Sequence, residues 1–176
     1  IILSMKAGFN GARLHEKVFE DRFHYWADKL GYITWAEFPN WGMNENAKAS
    51  ETYFLREWPR IVNYLKNHPS IITWTPFNET NTLECNAQHK KLMRIAYDVT
   101  KKIDPTRPVN ETSGYQHQKT DIWTVHNYEP IPEKLNKALN PKKGVYRNFP
   151  HFETSYKNQP YICLLYTSDA ADEVLG

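Results

Sequence analysis

Apolar positions along the chain alternate between two periods. Gly8-Phe-Asn-Gly-Ala-Arg-Leu14 is short and apolar, with glycines that permit close backbone approach, and it reads as a buried strand. Phe19, Phe23, Trp26, Ala27 and Leu30 then fall on one face of a helix, and Gly31 sits where a C′ glycine ends one. Tyr32 to Glu37 reads as a second strand, closed by Phe38-Pro39. After a polar loop over 40–50, Phe54, Trp58, Ile61, Val62 and Leu65 mark a helix from about Glu51 to Asn67, which Pro59 is expected to kink or divide. His68-Pro69-Ser70 breaks the chain before a third strand, Ile71 to Phe77. Leu92, Ile95, Ala96, Val99 and Ile103 mark a third helix, stopped by Asp104-Pro105. Pro108-Val109 opens a fourth strand, and Asp121 to Tyr128 reads as a fifth, after a join too short for a full helix. This alternation implies an α/β fold of parallel βαβ units, with functional residues at the C-terminal ends of the strands.

Composition narrows the partners. The chain has 176 residues, the size of about one domain. Its 22 basic and 20 acidic residues are too balanced for a protein that tracks phosphates or binds a membrane surface, so neither nucleic acid nor membrane is expected as a partner. No apolar run approaches the roughly 20 residues of a membrane span, and the first residues lack the basic start of a signal peptide. Two cysteines, Cys85 and Cys163, are too few for a disulfide framework and lack zinc-site spacing. Aromatic residues make up 14% of the chain, enough to build a core or a stacking surface for flat ligands.

Polar groups cluster where the strands end. The third strand runs into Asn78-Glu79. Apolar walls there would raise the pKa of Glu79 and let it serve as a general acid; the competing reading is that Glu79 caps the next helix. Arg13 and His15 follow the first strand, Glu37 ends the second, and His126 and Tyr128 end the fifth. Each alone is an ordinary structural residue. Their convergence on one rim from separate strands points to an active site, because satisfied core polar groups have no reason to prefer one end.

Gly8-Phe-Asn-Gly-Ala-Arg-Leu-His15, Tyr25-Trp-Ala-Asp-Lys-Leu-Gly31, Trp35-Ala-Glu37, Asn67-His-Pro-Ser-Ile-Ile-Thr-Trp74 and Phe77-Asn-Glu79 occur in this order. Asp104-Pro-Thr-Arg-Pro108, Ser113-Gly-Tyr-Gln-His117 and Thr124-Val-His-Asn-Tyr128 continue the series. Together these blocks resemble the barrel domain of glycoside hydrolase family 2, which contains β-galactosidases, β-glucuronidases and β-mannosidases. The resemblance implies an incomplete (β/α)8 TIM barrel over residues 1–162, with roughly the second to seventh strands of the barrel present. It implies a retaining β-glycosidase, β-galactosidase-like, with a carbohydrate substrate, no cofactor, and flanking β-sandwich domains in the full-length parent. By the same resemblance Glu79 is the acid/base and Asn78 holds the sugar 2-hydroxyl. Arg13 orients, and Tyr128 hydrogen-bonds, a catalytic carboxylate arriving on the seventh strand. His15, Glu37, His117 and His126 line the sugar subsite, and Trp41 is a candidate stacking surface, whereas Trp35 is read as core.

Two other classes compete. A metal-dependent hydrolase would draw on His15, His117 and His126, but there is no His-x-His pair and no His-Glu-x-x-His helix. A non-catalytic carbohydrate-binding module would use the aromatics but would not need Glu79 at a strand end.

The family's nucleophile is a Glu at the end of the seventh strand, approached by a segment like Gln159-Pro160-Tyr161-Ile162. Here the chain instead reads Cys163-Leu-Leu-Tyr-Thr-Ser-Asp-Ala-Ala-Asp-Glu173. That stretch is similar to the translation of a transposon-type sequencing adapter, so residues 163–176 are read as foreign and set aside from the fold. Asp169 and Glu173 lie too far past Ile162 to end the strand, and Glu153, which precedes it, is read as a solvated loop residue. Resequencing across this junction is expected to return an acidic motif of the Ser-Glu-Phe-Gly-Gly type after Ile162; recovery of residues 163–176 from unfragmented DNA overturns the reading.

Overall fold

The computed structural model describes residues 1–80 and 84–166. A short helix α1 (Ile2–Lys6) precedes strand β1 (Gly11–Leu14), helix α2 (Asp21–Leu30), strand β2 (Ile33–Glu37) and helix α3 (Lys48–Leu65). Strands β3 (Ile71–Thr75) and β4 (Phe77–Asn78), helix α4 (Ala87–Ile103), strands β5 (Thr112–Ser113) and β6 (Trp123–Asn127), helix α5 (Pro132–Ala138) and strand β7 (Tyr161–Tyr166) follow.

Among the described residues every strand pairing is parallel. The strands β1, β2 and β3 form one sheet, β4 pairs with β5, and β6 pairs with β7. An isolated parallel bridge from Trp74 to Val109 carries the pairing onward from β3 toward the fourth strand position. Pro76 divides what the sequence pattern presents as one strand, because proline has no N–H to give the ladder. The result is an arc of parallel strands with helices between them, an incomplete (β/α)8 barrel.

Helix α2 ends at Gly31, whose φ of 68° is the left-handed conformation that closes a helix. Its most buried side chains are His24 and Ala27 rather than the full predicted face. Trp26 is 48% exposed and, with Phe23 and Leu30, borders a shallow apolar groove beside Ile2 and Leu3. Helix α3 continues through Pro59 and is not divided there. The lost hydrogen bond to the carbonyl four residues earlier is offset by Phe54, Trp58, Val62 and Leu65, which sink into the core on both sides of the proline. Trp58 and Trp74 meet edge to face at 5.8 Å, and Phe54 stacks on Phe77 at 4.7 Å, so these four rings help fill the layer between strands and helices. Strand β7 runs through Cys163, Leu164 and Leu165, residues the sequence reading had set aside; their apolar character suits the strand that pairs with β6. Asp169 and Glu173 lie outside the described residues.

The Asp104-Pro-Thr-Arg-Pro108 block locks the start of β3. Arg107 donates from Nη1 to the Lys66 carbonyl at 2.8 Å and to Asp104 Oδ2 at 2.6 Å, from Nη2 to the His68 carbonyl at 2.9 Å, and from Nε to the Ile71 carbonyl at 2.5 Å. The indole N–H of Trp74 reaches the same Asp104 oxygen at 2.8 Å. Burial pushes the Asp104 carboxyl up, but donors from Thr106, Trp74 and Arg107 outweigh it and hold the group well below the usual carboxylate range. Replacing Arg107 with Ala leaves Asp104 buried without its cation and is expected to cost about 3–5 kcal/mol, read as a lower urea midpoint at unchanged slope. Arg107→Lys should recover only part of this, since an ammonium cannot span the same fork of acceptors.

Candidate active site

The rim is built around Arg13, the third residue of β1. Its guanidinium pairs with Glu37 at the end of β2, with Nη2 3.2 Å from Oε2, and donates from Nη2 to Asn78 Oδ1 at 2.5 Å at the end of β4. The Glu37 side chain has no exposed surface. Burial alone would raise its carboxyl, yet His15, the Arg13 guanidinium and the Glu16 amide together hold it below the ordinary value. His15 Nδ1 lies 3.4 Å from Glu37 Oε2, and the Glu16 N–H donates to the same oxygen at 3.0 Å.

Glu79 follows directly on β4. Its φ is 40°, in the left-handed region that a non-glycine residue enters at a cost of about 1–3 kcal/mol. Its N–H is tied to the Ser113 carbonyl at 3.1 Å, and its Oε1 accepts from His126 Nδ1 and from the Tyr128 hydroxyl. On the other side of the ring, His126 Nε2 lies 3.0 Å from the Ser113 hydroxyl. Gly114, at φ 81°, makes room for that imidazole, because a Cβ there would lie 2.3 Å from the ring. Burial lowers the pKa of His126 despite the nearby carboxylate. For Glu79, burial acts upward but is outweighed by the His126 and Tyr128 hydrogen bonds and the charges of His126 and Arg13, so its carboxyl lies below the ordinary value. The sequence argument expected the opposite, because apolar walls were visible in the pattern and the two donors were not. Nor does Glu79 cap the next helix: the Asn86 side chain accepts from the His89 N–H and caps α4.

The structure brings Arg13, Glu37, Asn78, Glu79, His126 and Tyr128 into one connected group, with His15 at its edge. Tyr128 donates to Glu79, the carboxylate that its hydroxyl reaches among the described residues. Glu37 and His126 are almost wholly buried, so they orient Arg13 and Glu79 instead of facing a ligand. His117 is not brought to the rim. It is fully buried, with Nδ1 3.0 Å from Glu111 Oε2 and Nε2 3.0 Å from the Thr124 carbonyl, and no ring atom is left for a sugar. His15, His117 and His126 thus turn to three different carboxylates, and among the described residues no group of His, Cys, Asp and Glu is arranged to hold a metal ion. Trp35 is partly buried and donates its indole N–H to Thr75, whereas Trp41 is 70% exposed. Glu153 is not solvated as read from sequence: its side chain is 1% exposed, accepts from Arg147 Nε at 2.9 Å, and has its pKa raised by burial.

Asn78 Nδ2 is buried beside Glu79 and has no hydrogen-bond partner among the described residues. Sequence reasoning missed Glu16, Asn40, Ser113 and Gly114. Only the Ser-Gly pair carried a signal, a glycine next to a strand end; the others became visible through tertiary hydrogen bonds. Burial raises the Glu16 carboxyl from 4.5 to about 7, against hydrogen bonds from the Trp41 and Asn40 amides and the charge of His15, with Glu37 adding to the rise. A carboxyl raised in the folded state contributes stability below its unfolded pKa of 4.5 and loses that contribution as pH climbs through about 7. Glu16→Gln, which cannot ionise, should therefore melt higher than the parent at about pH 8, with the gap closing toward pH 5; a gap that does not change with pH overturns this.

With this geometry in view, comparison with known proteins assigns the family. The model of the TIM-barrel domain of glycosyl hydrolases family 2 matches residues 9–174. A β-galactosidase of Psychromonas ingrahamii is 35% identical over 116 residues, 65% of this chain and 10% of that protein. A β-glucuronidase of Sus scrofa is 25% identical over 130 residues, 69% of this chain and 20% of that protein. The chain therefore spans a tenth to a fifth of the length of these curated relatives. A solved β-D-glucuronidase of Dictyoglomus thermophilum superposes with a TM-score of 0.75 at 20% identity, covering 96% of this chain and 32% of that one, a likeness of fold. A parallel arc with its polar groups gathered at one rim, and a family model that spans nearly all of it, lead to one conclusion: the chain belongs to glycosyl hydrolases family 2, within the TIM-barrel domain.

Proposed function

We propose that the complete protein carrying this segment is a retaining β-glycosidase in which Glu79 is the acid/base. The observation that carries the reading is Glu79 itself, a partly exposed carboxylate at a barrel strand end, held by His126 and Tyr128 beside the unpaired Asn78 amide. Among the relatives, the β-galactosidase is the more identical of the two described, and this supports a galactoside as the preferred substrate.

In a double displacement Glu79 protonates the departing glycosidic oxygen, and a second carboxylate about 5–5.5 Å away attacks the anomeric carbon. That nucleophile would be a Glu after Ile162 in the complete protein, where this chain instead reads Cys163-Leu-Leu-Tyr166. Leu165 and Tyr166 of β7 stand in register with His126 and Asn127, the level at which such a carboxylate would face Glu79. Its negative charge would lift the Glu79 pKa from the depressed value set by His126 and Tyr128, and so supply the protonated acid the first step requires. Arg13 and Tyr128 would then steady the second carboxylate. Asn78 Nδ2 would donate to the sugar 2-hydroxyl, Trp41 would offer a stacking face, and His15 would border the subsite. After the glycosyl-enzyme forms, Glu79 takes a proton from the water that resolves it.

Glu79→Gln in the complete protein is expected to slow glycosides with poor leaving groups by about 10²- to 10⁴-fold, while strongly activated aryl glycosides lose little in forming the intermediate. Azide should partly restore turnover, because an anion needs no base to attack the glycosyl-enzyme. Equal losses across acidic and basic phenols would assign Glu79 some other role. A nitrophenyl β-galactoside and β-glucuronide compared side by side test the substrate preference, which a faster glucuronide would overturn.

A further inference from the structure

Glu16 lies just past β1 and touches neither Glu79 nor the unpaired Asn78 amide. Its side chain nonetheless begins a chain of hydrogen bonds that ends at the backbone of Asn78, the residue before Glu79. Oε2 accepts from the Asn40 N–H at 2.7 Å and from the Trp41 N–H at 3.0 Å. The Asn40 side chain, almost wholly buried, brackets the next residue in the series: Oδ1 accepts from the Asn78 N–H at 2.6 Å, and Nδ2 donates to the Asn78 carbonyl at 2.9 Å. Glu16 is anchored in turn by its own N–H, which donates to Glu37. Glu16, where the series starts, and Glu79, the residue after the one where it ends, both have left-handed backbones, φ 52° and 40°. Such conformations persist only where surrounding contacts over-determine them.

We propose that Glu16 is a positioning residue of the active site, clamping the Asn40-Trp41 backbone so that Asn40 holds Asn78 and Glu79 at catalytic height and Trp41 stands at the rim. The inference rests on the glycosidase reading of Glu79. Its geometric core, the tie from Glu16 to the Asn78 backbone, is testable without it. The task Glu16 performs needs an acceptor for two amides and does not need a negative charge. The Glu16 carboxyl, pushed up to about 7 by burial, serves in either protonation state.

The test compares Glu16→Ala, Glu16→Gln and Asn40→Ala in the complete protein, by amide hydrogen exchange and by kinetics on glycosides of graded leaving-group ability. In Glu16→Ala the amides of Asn40, Trp41 and Asn78 should exchange at least about tenfold faster while those of α3 and α4 keep their protection. Its kcat should fall about 10- to 100-fold for poor leaving groups and much less for activated ones, with KM little changed, as expected of a misplaced acid. Glu16→Gln, which keeps the acceptor oxygen, should restore both exchange protection and most of kcat. Asn40→Ala should reproduce the kinetic loss and the exposure of the Asn78 amide, and it carries the test if Glu16→Ala does not fold. Unchanged exchange at Asn78 in Asn40→Ala, a loss in Glu16→Ala independent of leaving group, or a Glu16→Gln as impaired as Glu16→Ala would each overturn the proposal. If the parent turns over no glycoside, the glycosidase reading fails, and the exchange results alone decide whether Glu16 holds the Asn78 backbone.

Discussion

A single guanidinium joins the ends of three strands, and the rim is organised around it. Arg13 on β1 meets the Glu37 carboxylate at the end of β2 and the Asn78 amide at the end of β4. A carboxylate with no exposed surface costs several kcal/mol to desolvate and is tolerated only when paired and hydrogen-bonded. Glu37 receives that compensation from Arg13, His15 and the Glu16 amide, and the geometry that satisfies it also fixes where the strand ends lie relative to one another. The rim is in this sense a solved desolvation problem before it is a site.

Around that centre the residues divide into those that face outward and those that hold them. Glu79, Arg13, Tyr128, His15 and Trp41 keep some surface, whereas Glu37, His126, Asn40 and Ser113 are buried and act through their neighbours. His126 illustrates the second kind. Its two ring nitrogens are held by the Ser113 hydroxyl and the Glu79 carboxylate, and Gly114 supplies the space in which the ring lies. His117, only nine residues away, is equally buried but serves Glu111 and Thr124, stapling the β5–β6 connection. The resemblance assigns both histidines to the sugar subsite, although only His126 ends a strand in the sequence pattern. Their partners separate them.

Acid–base character shows the same dependence on context. A carboxyl behind an apolar strand reads as raised, yet Glu79 is held low by two donors arriving from β6 and the residue beyond it, 47 and 49 positions later. Glu16, which stands out in no motif, has its carboxyl raised by burial to about 7, and among the described residues its Oε1 is enclosed without a donor. Desolvation is a property of what folds over a group, and hydrogen bonds across the rim join residues far apart in the chain.

The sequence by itself determined the order of strands and helices, the end of α2 at Gly31, the core face of α3, and the rim on which Arg13, Glu37, Asn78, Glu79, His126 and Tyr128 gather. These follow from local periodicity and from the rule that parallel βαβ units place strand ends on one side, both of which neighbouring residues encode. It did not determine the passage of α3 through Pro59, the division of β3 from β4 at Pro76, the burial of His117 and Glu153, or the Glu16–Asn40–Asn78 series. Those were decided by packing on either side of a proline and by which polar groups found partners once the strands came together. Such outcomes depend on pairs separated by tens of residues, and no local pattern specifies them.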